Sequence, residues 1–108
     1  MVDAEANCQE MGGYLFEPKD YITNDEVLAQ HESYNYWIGI HDTTHRDNFR
    51  YLKSGLDIIW DNWAVNEPNE NYTDASKEQC VVVEKAGKWN DVPCSSIHIS
   101  VCELPLIK

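Results

Sequence analysis

The chain has 108 residues, 43% of them hydrophobic, with 8 basic against 19 acidic side chains and a formal net charge of -11. This is enough apolar content for one ordinary core, so residues 1–108 read as a single domain. The charge excludes a nucleic-acid footprint, which needs clustered Lys and Arg, and a polybasic membrane patch. No apolar run reaches the roughly 20 residues that span a bilayer. What remains is a soluble protein, a divalent-cation binder, or both.

In chain order, the first segment reads as a helix. Ala4, Cys8 and Met11 share one face, Glu5, Asn7 and Gln9 lie away from it, and Gly12-Gly13 end it. Tyr14-Leu15-Phe16 is a short strand stopped by Pro18. A second helix is expected from Thr23, which has capping-box spacing to Glu26 ahead of Val27 and Leu28. Tyr34 to Ile40 is aromatic and β-branched, as a buried strand would be. Residues 41–80 are rich in Asp, Asn, Glu, Thr and Ser, and Trp60 and Trp63 stand in them as anchors. The stretch from Asn62 to Gln79 has little regular pattern, and a loop of that length inside a domain usually serves a function. Strands return at 80–84 and near Trp89, joined by a turn at Lys85-Ala86-Gly87-Lys88. A last apolar strand runs from about Ile97 to Cys102. The opening Met1-Val2-Asp3-Ala4-Glu5 lacks the apolar run of a secretion leader, so an expression start or a mature fragment is expected there.

The four cysteines, Cys8, Cys80, Cys94 and Cys102, suggest two disulfides and an extracellular, secreted protein. No two of them are two to four residues apart, which argues against zinc. Spacing alone leaves all three pairings open.

Trp37-Ile38-Gly39-Ile40 is followed by Trp60 and Trp63, then Glu67-Pro68-Asn69 and Glu78 just before Cys80. Trp89-Asn90-Asp91 then precedes Cys94, and Cys102-Glu103 comes last. In this order and at these spacings the sequence resembles the C-type lectin domain over nearly its whole length. The resemblance implies an α+β fold of two helices, small antiparallel sheets and a long calcium-binding loop region. It also implies the nested pairing, Cys8–Cys102 around Cys80–Cys94. By loop entropy the long bridge contributes about 4–5 kcal/mol and the short one about 3 kcal/mol. Trp37, Trp60, Trp63 and Trp89 are expected in the core, the last setting Asn90 and Asp91 from behind.

Calcium takes six to eight oxygen ligands. Glu67, Asn69, Glu78, Asn90 and Asp91 stand at the family's principal calcium positions and offer three carboxylates and two amide carbonyls. Glu67, Asn69, Glu78 and Asn90 would also bind sugar. A hydroxyl gives one lone pair to the metal, accepts an amide N–H with the other, and donates its hydrogen to a carboxylate. The resemblance further implies a cis bond at Pro68, so that Glu67 and Asn69 both face the ion. The Glu-Pro-Asn order is associated with mannose, glucose, N-acetylglucosamine and fucose. Glu67 and Glu78 lie 11 positions apart, a loop longer than in mannose-binding relatives. That loop holds Tyr72, which could pack on a sugar face, so galactose and N-acetylgalactosamine stay open.

Asp42 and Glu70 match two acids of an auxiliary calcium site, but Arg46 and Gln79 stand where two others belong, so one principal calcium is expected. Relatives begin with a strand and a tryptophan seven residues before the first cysteine. Met1 stands at that position, the amino-terminal strand is missing, and the edge near Val101 is expected to lack a partner. An unpaired edge invites association, here a homo- or hetero-oligomer. Asn71-Tyr72-Thr73 is a glycosylation sequon beside the site. The histidines show no ligand spacing and are expected at the surface.

Three functions compete. The first is a secreted calcium-dependent lectin for microbial or cell-surface glycans, as in innate recognition. The second is a lectin-like protein that binds mineral, ice or a protein surface. The third is an enzyme, and it is set aside: Ser95, Ser96 and His98 lack a nucleophile-elbow context, and bridged cysteines leave no thiol nucleophile.

Overall fold

The computed structural model describes residues 2–31, 34–42, 48–65, 67, 79–84, 87–94 and 98–104. Two helices, α1 (Val2–Glu10) and α2 (Tyr21–Gln30), accompany seven short strands. These are β1 (Tyr14–Leu15), β2 (Tyr36–Asp42), β3 (Arg50–Tyr51), β4 (Gln79–Val83), β5 (Trp89–Pro93), β6 (Ile99–Ser100) and β7 (Cys102–Glu103). The larger sheet runs β3-β2-β4-β5 with antiparallel neighbours, and β6 joins β2 in parallel. β1 and β7 form a second, two-stranded sheet.

The alternation of side chains sorts the central strands between two apolar layers. Tyr36, Ile38, Ile40, Val81, Val83 and Trp89 enter one cluster with Phe16, Phe49, Tyr51 and Val101. Trp37, Val82 and Cys80 enter the other with Ala4, Cys8 and Leu15. Burial on both faces explains why β2 reads as an unbroken apolar run rather than an alternating one. Val27 and Leu28 of α2 pack on the first cluster, together with Trp60 and Trp63.

The ends of the elements follow local chemistry. Gly12, at φ 83°, stops α1, and the Gly13 amide donates to the Cys8 carbonyl at 2.9 Å. Met11 falls just past the helix and is exposed, so it does not share the buried face of Ala4 and Cys8. α2 starts at Tyr21, two residues before the expected Thr23. Its cap is Asp20, whose carboxylate accepts the Thr23 amide at 2.7 Å. The capping box at Thr23 is corrected for that reason: the acid three residues earlier takes the amide first.

The disulfides are nested, Cys8–Cys102 and Cys80–Cys94. The long bridge ties α1 to β7 and brings the chain after α1 alongside the carboxyl-terminal strands. Phe16 donates its amide to the Val101 carbonyl at 2.8 Å, β1 pairs β7, and β6 pairs β2. The expected partnerless terminal strand is therefore corrected: each of its two short parts has a neighbour. The expected surface histidines are corrected too. His31, His41 and His98 are half-buried, and His98 sits edge-on to Trp37 with ring centroids 4.8 Å apart. Burial there pushes its imidazole below the ordinary range. His45 lies outside the described residues.

Gly39 explains why the Trp-Ile-Gly-Ile run has no side chain at its third place. Its amide donates to the Phe16 carbonyl at 2.7 Å, and its carbonyl accepts the Leu52 amide at 2.8 Å. A Cβ there would stand 2.9 Å from the Leu15 carbonyl oxygen and 2.9 Å from Glu17 Cγ. Gly39→Ala is expected to force these backbones apart and cost about 1–3 kcal/mol, measured as a lower midpoint in denaturant with an unchanged slope.

Candidate functional site

The site is built on the β4–β5 hairpin and on the chain segment that runs beside it. Val81 pairs Asp91 and Val82 pairs Asn90 across the hairpin. The hairpin closes where the Glu84 amide donates to the Lys88 carbonyl at 2.8 Å. Trp89 is fully buried, and Trp60 and Trp63 stand edge-on to it with centroids 5.4 and 5.5 Å away. Its indole N–H donates to Asn24 Oδ1 at 3.1 Å, inside α2. The Trp89 carbonyl and amide engage the passing segment: Ala64 donates to the first at 2.9 Å, and the second donates to Asn62 at 2.9 Å.

Asn24 and Asn62 were not singled out in the sequence, and both brace this arrangement. Gly87 presents one carbonyl to both amides, Asn62 Nδ2 at 2.7 Å and Asn24 Nδ2 at 3.4 Å. Lys88 Nζ donates to Asn62 Oδ1 at 3.1 Å. A fully buried Asn in a helix interior is a weak helix former, and that mismatch at Asn24 was the available signal.

Beyond Ala64 the chain turns, and the Glu67 amide donates to the Ala64 carbonyl at 3.0 Å. This sets the Glu67 carboxyl within hydrogen-bonding reach of the Asp91 carboxyl. Asp91 is 5% exposed, deep for a carboxylate. Asn90 is half-buried and donates from Nδ2 to Glu84 Oε2 at 3.2 Å. Burial first, then the charges of Asp91 and Glu84, push the Glu67 carboxyl above its ordinary range. Two neighbouring carboxyls held this way are the donor chemistry that suits a hard divalent cation.

Of the residues singled out in the sequence, the structure thus brings Glu67 and Asp91 together, with Asn90 adjacent to Asp91 on the same strand. Pro68, Asn69, Asn71, Tyr72 and Glu78 lie outside the described residues. Among the described residues no three acidic, imidazole or thiol groups converge on one point. Of the auxiliary set, Asp42 is buried and accepts the Asn48 amide at 3.0 Å. Arg46 and Glu70 lie outside the described residues, as do Ser95 and Ser96, and Gln79 opens β4. Glu84 was not singled out, because an acid before a turn looks like ordinary solvated charge.

Two helices, antiparallel sheets and a nested disulfide pair carry the C-type lectin fold. The lectin C-type domain family matches residues 1–104, and the chain belongs to that family. It is similar to pulmonary surfactant-associated protein D of Sus scrofa, 31% identical over 105 residues. That match covers 94% of this chain and 27% of the relative, so the chain spans about a quarter of the relative's length. The fold is similar to the crystal structure of the cow C-type carbohydrate-recognition domain of CD23, determined in the presence of GlcNAc2Man3 oligosaccharide. The TM-score is 0.81 at 26% identity, covering 98% of this chain and 81% of that one. It is also similar to a calcium-independent type II antifreeze protein, with a TM-score of 0.78 at 24% identity, covering 94% and 75%. Among the described residues no helix is long and apolar enough to cross a membrane.

The raised Glu67 carboxyl has a consequence for stability. The folded protein holds that proton more tightly than the unfolded chain does, so stability falls as pH rises from the ordinary glutamate range through the raised value. In a chelator at pH 7, Glu67→Gln is therefore expected to melt above the wild type. The gap should close as the pH is brought below the ordinary carboxylate range, where both side chains are neutral.

Proposed function

We propose that this domain is a calcium-dependent carbohydrate-binding module. The single observation that carries the reading is the contact between the Glu67 and Asp91 carboxyls. It is unfavourable without a cation, and it is assembled from two separate parts of the chain. Family membership and the likeness to the cow CD23 carbohydrate-recognition domain, whose crystal structure was determined in the presence of an oligosaccharide, support it. Residues 1–108 would act as one recognition unit.

In this reading Glu67, Asn69, Glu78, Asn90 and Asp91 hold one calcium ion, supplying only oxygen. Bound there, calcium supplies a direct grip on two neighbouring sugar hydroxyls. The residues of the chain complete the grip: Asn69 and Asn90 donate amide N–H to the hydroxyl oxygens, and Glu67 and Glu78 accept the hydroxyl hydrogens. Trp89 holds Asn90 and Asp91 in place from the core. The Glu-Pro-Asn order of Glu67-Pro68-Asn69, with a cis bond at Pro68, favours mannose, N-acetylglucosamine and fucose. Tyr72 would pack against the sugar's apolar face, a route to galactose-type ligands. A secreted protein fits the two disulfides, and recognition of microbial or cell-surface glycans fits membership of the lectin C-type domain family. Binding rather than catalysis is the activity proposed.

The second reading, a binder of mineral, ice or a protein surface, draws on the net charge of -11. The same fold serves a calcium-independent antifreeze protein. The carboxyl pair supports the first reading over the second, because calcium-independent binding makes no use of it.

A glycan array probed with and without chelator tests the proposal. Binding is expected to vanish in chelator, return with calcium, and disappear for Asn69→Ala on every sugar. Binding that survives the chelator, or that Asn69→Ala leaves intact, would overturn it. Acidification should release both calcium and sugar, because the ligand carboxylates must be ionised.

A further inference from the structure

We propose that Glu84 is a positioning residue of the calcium and sugar site: its carboxylate holds the Asn90 amide by Nδ2 and leaves Oδ1 as the atom offered to the ion. The inference rests on the calcium reading above and adds a residue that the ligand set does not contain.

An asparagine amide is ambiguous in its orientation. Its oxygen and nitrogen ends have nearly the same shape, so packing scarcely distinguishes them, and the surrounding hydrogen bonds decide. An ionised carboxylate only accepts, so the end that faces Glu84 must be the NH2 group. The observed contact, Asn90 Nδ2 to Glu84 Oε2 at 3.2 Å, has that sense. It uses one of two N–H donors and leaves the second for a sugar hydroxyl.

Glu84 is itself held firmly. It follows β4 directly, and its amide and carbonyl both close the hairpin, donating to Lys88 at 2.8 Å and accepting from Gly87 at 3.0 Å. Among the described residues no Lys or Arg pairs with it. It lies near enough to Glu67 for its charge to act on that carboxyl. A residue placed behind a ligand in this way typically alters metal affinity 10–100-fold when removed.

The test is a calorimetric calcium titration of the wild type, Glu84→Ala, Glu84→Gln, Asn90→Ala and Glu84→Ala combined with Asn90→Ala. It is run at a temperature where chelated samples of each are fully folded. Glu84→Ala is expected to weaken calcium binding about 10–100-fold. Glu84→Gln, which keeps an acceptor oxygen in place, should recover most of the loss. Once Asn90 is alanine, Glu84→Ala should cost nothing more. In the calcium-free wild type, the Asn90 side-chain amide proton should show the downfield NMR shift of a carboxylate hydrogen bond, and lose it in Glu84→Ala. Unchanged affinity in Glu84→Ala, with the wild type binding calcium, overturns the role of Glu84 alone. A wild type that binds no calcium overturns the parent reading as well. Equal losses for Ala and Gln that persist without Asn90 overturn it in favour of charge acting at a distance.

Discussion

The contact of Trp89 with the segment around Trp63 is the constraint on which the site depends. One tryptophan backbone serves two partners, Asn62 and Ala64, while its ring lies between Trp60, Trp63 and the amide of Asn24. The chain after Tyr51 has little regular structure of its own, and a loop of that length is free to wander. Docking on β5 removes that freedom just before Glu67. The aromatic contacts therefore do more than fill the core. They carry an acid from a distant part of the chain to the neighbourhood of Asp91, and the local turn back to Ala64 completes the approach.

Bringing two carboxyls together on a chain of net charge -11 is unfavourable. The framework that enforces it is stiff: two disulfides close the chain at its ends and at the hairpin, and the sheet is buried on both faces. In the proposed reading, a bound cation offsets that repulsion. In that reading three of the 19 acids, Glu67, Glu78 and Asp91, are ligands of the ion, and Glu84 acts on it indirectly through Asn90. Of the other acids, Glu17 and Asp42 are buried, while Asp3, Glu10, Asp25, Glu26, Asp57 and Asp61 are exposed.

Much of this was legible in the sequence, for identifiable reasons. Trp37-Ile38-Gly39-Ile40 and Val81-Val82-Val83 announce themselves because burial on both faces leaves no polar positions. The resemblance singles out Glu67, Asn90 and Asp91; the structure brings the first near the last, and their role as ligands is the proposal made above. The start of α2 was missed because Asp20 and Thr23 both qualify as caps, and only the fold decides which carboxylate or hydroxyl reaches an amide. The pairing of β1 with β7 was missed because two-residue strands carry no periodicity. Asn24, Asn62 and Glu84 were missed for a different reason: each acts through side-chain hydrogen bonds to residues far away or across a turn, and no local spacing encodes such partners.

The central claim is that Glu67 and Asp91 share one calcium ion, and a crystal grown in calcium and measured for anomalous scattering tests it most directly. One calcium peak per chain is expected, in contact with oxygens of both Glu67 and Asp91, and none at Asp42. A protein crystallised in calcium that keeps the two carboxyls against each other with no ion between them would contradict it.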